Sequence, residues 1–183
     1  MRLSSVLFSF CAILPFITLQ QASATTTEEL QEIIECKTNA HHYREFTGDY
    51  EEQLQKLGWK RKEDPEQPLL YIYQHKNPIQ LFNKPTKEIG LTGNAVVAIY
   101  RDTSVQTLSK QFGISQIPEF KMLPVFRGEK LIATEPATED SFTTYKKLVL
   151  SELKGKSTLV VLGCSYEPDR KEMEKMLELA EAE

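Results

Sequence analysis

The sequence has few of the residues on which recognisable catalytic and cofactor-binding motifs depend. Its 183 residues include 8 glycines, 3 histidines, 3 cysteines and 1 tryptophan. The glycines do not cluster, so the chain contains no glycine-rich phosphate loop, no dinucleotide-binding fingerprint and no calcium-binding loop. We therefore predict that no cofactor is bound.

An excess of basic residues is also missing. The 22 Lys and Arg are outnumbered by 26 Asp and Glu, which gives a formal net charge of −4. This balance argues against nucleic acid or an anionic membrane surface as the partner, because both attract positively charged surfaces. The sequence does not determine the oligomeric state.

Long apolar runs are absent after residue 24, where the longest are 95–99 and 159–162, so no membrane-spanning segment is predicted. Residues 1–24 have the features of a signal peptide. Arg2 provides a positive start, an apolar run too short to span a bilayer follows, and Ala22-Ser23-Ala24 provides the small-residue cleavage pattern. We predict a periplasmic or secreted protein in which residues 25–183 form a single domain.

Cleavage after Ala24 would leave two cysteines, Cys36 and Cys164. An even number of cysteines in an oxidising compartment predicts a disulfide bond. Such a bond would tie the first helix to the last strand. The alternative is two free thiols.

Helical signals alternate with strand signals along residues 25–183. The predicted helices are 26–36, which a capping box opens at Thr26, 49–58, 103–112, and a last helix that begins at Pro168 and buries Met173, Met176, Leu177 and Ala180. The predicted strands are 69–75, 78–82, 88–92, 95–100, 120–126, 130–134, 142–153 and 156–164, with a tight turn at Arg127-Gly128-Glu129. Segment 142–153 also fits a helix, but its β-branched residues and the turn at Lys154-Gly155 favour a strand.

This order predicts an α+β fold. Each half of the chain, 25–101 and 102–183, consists of helix followed by a meander of strands. We expect one antiparallel β-sheet built from two such helix-plus-meander units, with the helices packed on one face and one disulfide bond. An internal duplication and a coincidence of two glycine-terminated helices both remain open.

No catalytic residue is predicted. Gly163-Cys164-Ser165-Tyr166-Glu167 resembles a nucleophile elbow, but Glu167 replaces the second glycine and every histidine precedes Ser165 in the chain. Apart from the cysteines, the only candidate metal ligands that cluster in the sequence are His41 and His42. They are weak candidates because adjacent side chains point in different directions, and a solvated loop near a helix end is the favoured explanation.

Three aromatic residues of the first meander form a candidate recognition surface: Trp59, Tyr71 and Tyr73. Tyr71 and Tyr73 are expected on one face of their strand because alternate residues share a face. If other elements cover that face, the two tyrosines belong to the core. If the face is exposed to solvent, they can recognise a partner. The core interpretation is favoured because aromatic residues in strands usually pack inside.

Four short motifs resemble small exported proteins of Gram-negative bacteria: Ile34-Glu35-Cys36-Lys37, Leu57-Gly58-Trp59, Pro78-Ile79-Gln80-Leu81-Phe82 and Gly163-Cys164-Ser165-Tyr166. The resemblance spans most of residues 25–183. It implies paired cysteines and a periplasmic location, and it transfers no catalytic residue.

Two functions from different classes fit these observations. The first is a non-catalytic periplasmic binding protein, such as an inhibitor or immunity-type protein, that binds another protein of the cell envelope. The second is an envelope hydrolase that uses His41, His42 or His75 as a general base. Carriage of a small ligand between sheet and helices is a third alternative.

Overall fold

An eight-stranded antiparallel sheet lies at the centre of the structure, a computed structural model that describes residues 25–181. Its strands are β1 Lys60–Lys62, β2 Tyr71–Leu81, β3 Lys84–Thr92, β4 Ala95–Tyr100, β5 Ser115–Gln116, β6 Arg127–Glu135, β7 Thr144–Leu153 and β8 Leu159–Pro168. They are arranged in the order β1-β2-β3-β4-β8-β7-β6-β5. The predicted signal peptide, residues 1–24, lies outside the described residues.

The helices are α1 Thr27–Ile34, α2 Ala40–Gly48, α3 Tyr50–Lys56, α4 Val105–Phe112 and α5 Arg170–Glu181, with one 3-10 turn at Pro118–Phe120. The predicted capping box is present: the Thr26 side chain accepts a hydrogen bond from the Glu29 amide, and the Glu29 side chain accepts one from the Thr26 amide. Gly113 ends α4 in the left-handed conformation at φ 62°. The predicted α+β class is confirmed. No helix within residues 25–181 combines the length and the apolar content needed to cross a bilayer.

Helices α1 to α4 pack on one face of the sheet, which we call the helix face. In β8 the buried residues alternate between the two faces, as strand geometry requires, and Val160, Leu162, Cys164 and Tyr166 belong to the core on the helix side. The helices contribute apolar residues to the same core, among them Leu30, Ile33, Phe46, Leu54 and Leu108.

A second, smaller core lies on the opposite face of the sheet, which we call the strap face. It contains Leu70, Ile72, Ala95, Val97, Ile99, Leu159 and Val161. Segment 63–70, the strap, crosses this face from β1 to the turn between β7 and β8. The Glu66 carboxylate accepts a hydrogen bond from the Lys156 amide at 2.6 Å, and the Gln67 side-chain amide donates to the Lys154 carbonyl at 3.2 Å.

Several predicted element boundaries are wrong. Residues 120–126 are not a strand, because Pro118 opens a 3-10 turn, and Arg127-Gly128-Glu129 is not a turn but the start of β6. The predicted strands 69–75 and 78–82 are parts of one long strand, β2, whose pairing with β3 shifts register between Gln74 and Ile79.

Two further differences concern helices. The loop expected around His41 and His42 is helix α2, which the Asn39 side chain caps by accepting a hydrogen bond from the His42 amide. In α5, Met176 and Leu177 are 52% and 57% exposed rather than buried, because this helix extends beyond the edge of the core. The Ala180 side chain lies outside the described part of the chain. The two expected helix-plus-meander units, 25–101 and 102–183, are not confirmed, because three helices precede β1 but only α4 precedes β5.

The predicted disulfide bond between Cys36 and Cys164 is confirmed. Cys36 lies just after α1 with a φ of 59°, and Cys164 lies in the middle of β8 with no exposed surface. The bond closes a loop of 128 residues, which contains α2, α3, α4 and all strands up to β8. It therefore fixes α1 against the centre of the sheet.

Removing this bond should strongly destabilise the protein. We expect Cys36→Ala/Cys164→Ala to lower the free energy of unfolding by about 2–5 kcal/mol, because a large loop is released in the unfolded chain. Urea titration with and without reductant measures the change. Adding reductant should lower the free energy of unfolding of the wild type and should leave that of the double variant unchanged. The prediction would be contradicted if the wild type and the double variant, each with and without reductant, all unfolded at the same urea concentration.

Glu88 is a nearly buried carboxylate on the strap face of β3, with a side chain 9% exposed. Lys62 of β1 and Arg101, which follows β4, both donate hydrogen bonds to it, the latter at 2.7 Å. Burial alone would raise the pKa of Glu88, but the bonds from Arg101 and Lys62 outweigh it and hold the pKa below its ordinary value of 4.5. The ionised carboxylate thus links β1, β3 and the end of β4.

The stabilisation from Glu88 should depend on pH. Because its pKa is lower in the folded protein than in the unfolded chain, its contribution is complete above pH 4.5 and is lost as the pH falls through the folded-state pKa. We expect Glu88→Gln to cost about 1.5–3 kcal/mol at pH 7 and the difference from wild type to shrink progressively below pH 4.5. Urea unfolding across this pH range tests both expectations.

Glu52→Gln is the matched control, since Glu52 is 65% exposed and pairs with Lys56 on α3. Its cost should stay below about 0.5 kcal/mol. A Glu88 variant as mild as the control would show that the linked charges do not stabilise the sheet.

Candidate functional site

An aromatic cavity of about 530 Å³ opens on the helix face, where the ends of several strands meet. It lies between α2, the turn joining β3 to β4 at Gly93 and Asn94, and segment 140–144. Five aromatic side chains line it: Tyr43, Tyr50, Tyr71, Phe142 and Tyr166. A concave site of this size with a mainly apolar lining and a few polar groups is typical of a ligand or anchor pocket.

The inner wall of the cavity is a stacked pair of tyrosines. The rings of Tyr43 in α2 and Tyr166 in β8 lie 4.2 Å apart with an interplanar angle of 8°. The Tyr166 hydroxyl donates to the Ile33 carbonyl at 3.0 Å, and its amide donates to the Asn94 carbonyl at 2.9 Å. Burial raises the pKa of Tyr43 to about 12, so its hydroxyl is neutral near pH 7. This wall is rigid and uncharged.

The outer wall is formed around Tyr71, which is 46% exposed. The Arg61 guanidinium lies 4.4 Å from the centre of the Tyr71 ring and 5.6 Å from that of Tyr73. Tyr73 is fixed in turn, since its hydroxyl donates to Glu51 at 3.3 Å and Tyr50 meets its ring edge-on. The cation–π contact therefore holds Tyr71 in place while leaving half of it open to a partner.

Three polar residues lie at the rim of the cavity, and the buried Thr144 also lines it. Arg44, Asn94 and Asp140 line the opening and are exposed. Within residues 25–181, no carboxylate approaches Arg44 closely enough to form an ion pair. The rim therefore carries one cation, Arg44, and one carboxylate, Asp140.

The segment that closes one side of the cavity is tied to α5. The Glu172 carboxylate accepts hydrogen bonds from the Thr143 amide and hydroxyl, both at 2.8 Å. The Asp169 amide donates to the Thr143 carbonyl at 2.7 Å, and the Tyr145 hydroxyl donates to the Asp169 carboxylate at 2.8 Å. That hydroxyl, together with the Glu172 amide, holds the pKa of Asp169 below its ordinary value. Through Thr143, α5 positions Phe142.

The structure separates the three residues of the candidate recognition surface. Tyr71 and Tyr73 share the helix face as expected, but Trp59 and Tyr73 are core residues, each 2% exposed. Trp59 packs against the His75 ring at 5.2 Å. Of the three, only Tyr71 reaches the cavity and solvent.

Sequence reasoning missed Tyr43, Tyr166 and Phe142. Tyr166 could have been placed, because it is two residues from Cys164 and must share its face of β8. Tyr43 could have been placed only if α2 had been predicted, because Ala40, Tyr43 and Phe46 form the buried stripe of that helix. Their meeting depends on tertiary packing.

The histidines lie outside the cavity. His41 and His42 are both on α2, and their rings approach the Glu45 carboxylate at 3.5 and 3.4 Å. The His75 ring contacts the Asn77 backbone. Over the described residues, no three His, Cys, Asp or Glu side chains are close enough to hold a metal ion.

Ser165 lies within a straight strand, β8, and its hydroxyl donates to Glu167 at 3.1 Å. A nucleophile elbow needs a sharp turn between strand and helix, and this position does not provide one.

No family model, no curated protein and no solved structure matches the chain significantly. The cavity is thus the main guide to function.

We expect Glu172→Ala to release segment 140–144. Losing two hydrogen bonds to a carboxylate should accelerate hydrogen exchange of the Thr143 amide about tenfold or more, with little change in global stability. Exchange measured by NMR tests this directly. Glu174→Ala, an exposed position on the same helix, is the control and should leave Thr143 protected. Equal exchange in both variants would show that α5 does not order this segment.

Proposed function

We propose that the chain is an exported, non-catalytic binding protein that recognises a protein of the cell envelope through its aromatic cavity. The observation that carries the proposal is the half-exposed Tyr71, held by Arg61 at the mouth of a cavity lined by four further aromatic rings. Tyrosine, tryptophan and arginine dominate the energetics of protein interfaces. An apolar side chain of the partner would enter between Tyr71 and the Tyr43–Tyr166 pair.

Rigidity of the site supports binding to a folded partner. Both walls are fixed by stacking, cation–π contact and hydrogen bonds to the backbone. Association therefore loses little side-chain entropy at these positions, which favours affinity. An inhibitor or immunity-type protein uses such a preformed surface to cover the working surface of another protein.

Periplasmic or secreted location belongs to the same proposal. It is supported by the signal-peptide pattern of residues 1–24 and by the Cys36–Cys164 bond, since disulfides persist in oxidising compartments.

The hydrolase alternative requires a histidine that activates a nucleophile. Within the described residues, the histidine rings contact Glu45, Asn77 and Trp59, and none is hydrogen-bonded to a hydroxyl or thiol. A variant in which glutamine replaces His41, His42 and His75 distinguishes the two proposals. Binding should persist, whereas a His-dependent activity would be lost without unfolding.

Capture of the partner tests the binding proposal. Tagged protein comprising residues 25–183 is incubated with envelope extract, crosslinked briefly and analysed by mass spectrometry, and the recovered partner is then purified for affinity measurement. We expect Tyr71→Ala to weaken this affinity about tenfold or more, because a central tyrosine is commonly worth more than about 1.4 kcal/mol.

Met122→Ala serves as the control, since Met122 is 93% exposed and lies away from the cavity. Its affinity should equal that of the wild type. If Tyr71→Ala, Arg44→Ala and Met122→Ala all bound the partner with equal affinity, the aromatic cavity would be excluded as the binding surface.

A further inference from the structure

A second concave site lies on the strap face and differs from the aromatic cavity in chemistry. It is a groove of about 430 Å³ between the strap and the segment that contains Ile117 and Phe120. Its floor is aliphatic, formed by Val97 of β4, Val161 of β8 and Val149 of β7. The register of the sheet places Val97 and Val149 on either side of Gly163 in one row, and the β4 backbone packs closely against this glycine.

The walls of the groove are apolar and accessible. Leu69 of the strap is 82% exposed on one side, and Phe120 is partly exposed on the other. Aliphatic side chains that remain open to solvent along a groove mark a place where another apolar group can be buried.

One end of the groove carries a positive charge. Arg127 lines it, and its guanidinium lies 5.6 Å from the centre of the Phe120 ring. Among the ion pairs of the described residues, none involves Arg127, and the neighbouring Glu129 pairs instead with Lys147 at 3.1 Å. In the register of the sheet, Ser151 of β7 lies directly opposite Arg127 of β6, and its side chain carries a hydroxyl group. The Glu129 carboxylate also lines the groove, but the Lys147 ammonium offsets its charge, so Arg127 and Ser151 remain to receive an incoming anion.

We propose that this groove binds a medium-chain fatty acid, with the alkyl chain along the valine floor and the carboxylate at Arg127 and Ser151. The charge argument selects the ligand: a guanidinium binds a carboxylate through two parallel hydrogen bonds. The aliphatic floor lacks the stacked aromatic rings found in the other cavity and suits a flexible alkyl chain. This site is separate from the one in the proposed function and does not depend on it.

Isothermal titration of the protein comprising residues 25–183 with sodium decanoate tests the proposal. We expect saturable binding of one molecule per chain. Arg127→Gln should weaken decanoate binding about tenfold or more, because the charge-assisted hydrogen bonds are lost. The same variant should bind decan-1-ol, which has the same chain without the charge, as well as the wild type does. Arg127 is exposed, so its replacement should not prevent folding.

Two further variants distinguish this groove from other binding modes. Leu69→Asp should abolish decanoate binding by placing an anion in the wall, whereas Arg44→Gln, at the rim of the aromatic cavity, should leave it unchanged. NMR shifts on titration should centre on residues 149–153 and 127–129. Absence of saturation, equal affinities for wild type and Arg127→Gln, or loss of binding with Arg44→Gln would each overturn the proposal.

Discussion

The pairing of β4 with β8 is the contact on which the rest of the structure depends. It joins the consecutive strands β1–β4 to β5–β8 and makes one sheet of two meanders. The two strands approach so closely that a Cβ on Gly163 would overlap the Val96 carbonyl oxygen and lie 2.5 Å from the Val97 Cα atom. Only glycine fits here, which gives a structural reason for the Gly163-Cys164 sequence that has no need of catalysis.

Both candidate sites arise from the alternation of side chains along β8. Tyr166 and Cys164 point to the helix face, where one completes the aromatic cavity and the other anchors α1. Val161 points to the strap face and forms part of the aliphatic groove. A single strand therefore supplies an aromatic surface suited to a protein anchor and an aliphatic surface suited to an alkyl chain. The two surfaces lie on opposite sides of the same sheet because successive side chains of a strand face opposite sides.

Local signals in the sequence were enough to predict much of the fold. The capping box at Thr26, the glycine after α4 and the apolar run of β4 act within a few residues, and each predicted element is present. The cysteine pairing was predicted from the number of cysteines and the expected compartment alone. The predictions failed where distant contacts decide the outcome. The apolar stripe of α5 resembles a buried face, yet Leu177 is mainly exposed. The Tyr43–Tyr166 stack joins residues from opposite ends of the chain, so no local pattern could reveal the cavity.

The position of the disulfide bond also has a consequence for the order of assembly. Cys36 and Cys164 are separated by 128 residues, and Cys164 belongs to the last strand. In a chain that emerges from its N-terminus, Cys36 waits as a free thiol until β8 follows, and the proposed export leaves it no other cysteine with which to mispair. Oxidation within residues 25–183 therefore has one intramolecular pairing to form, and in the folded chain that pairing holds β8, between β4 and β7, to the segment that follows α1.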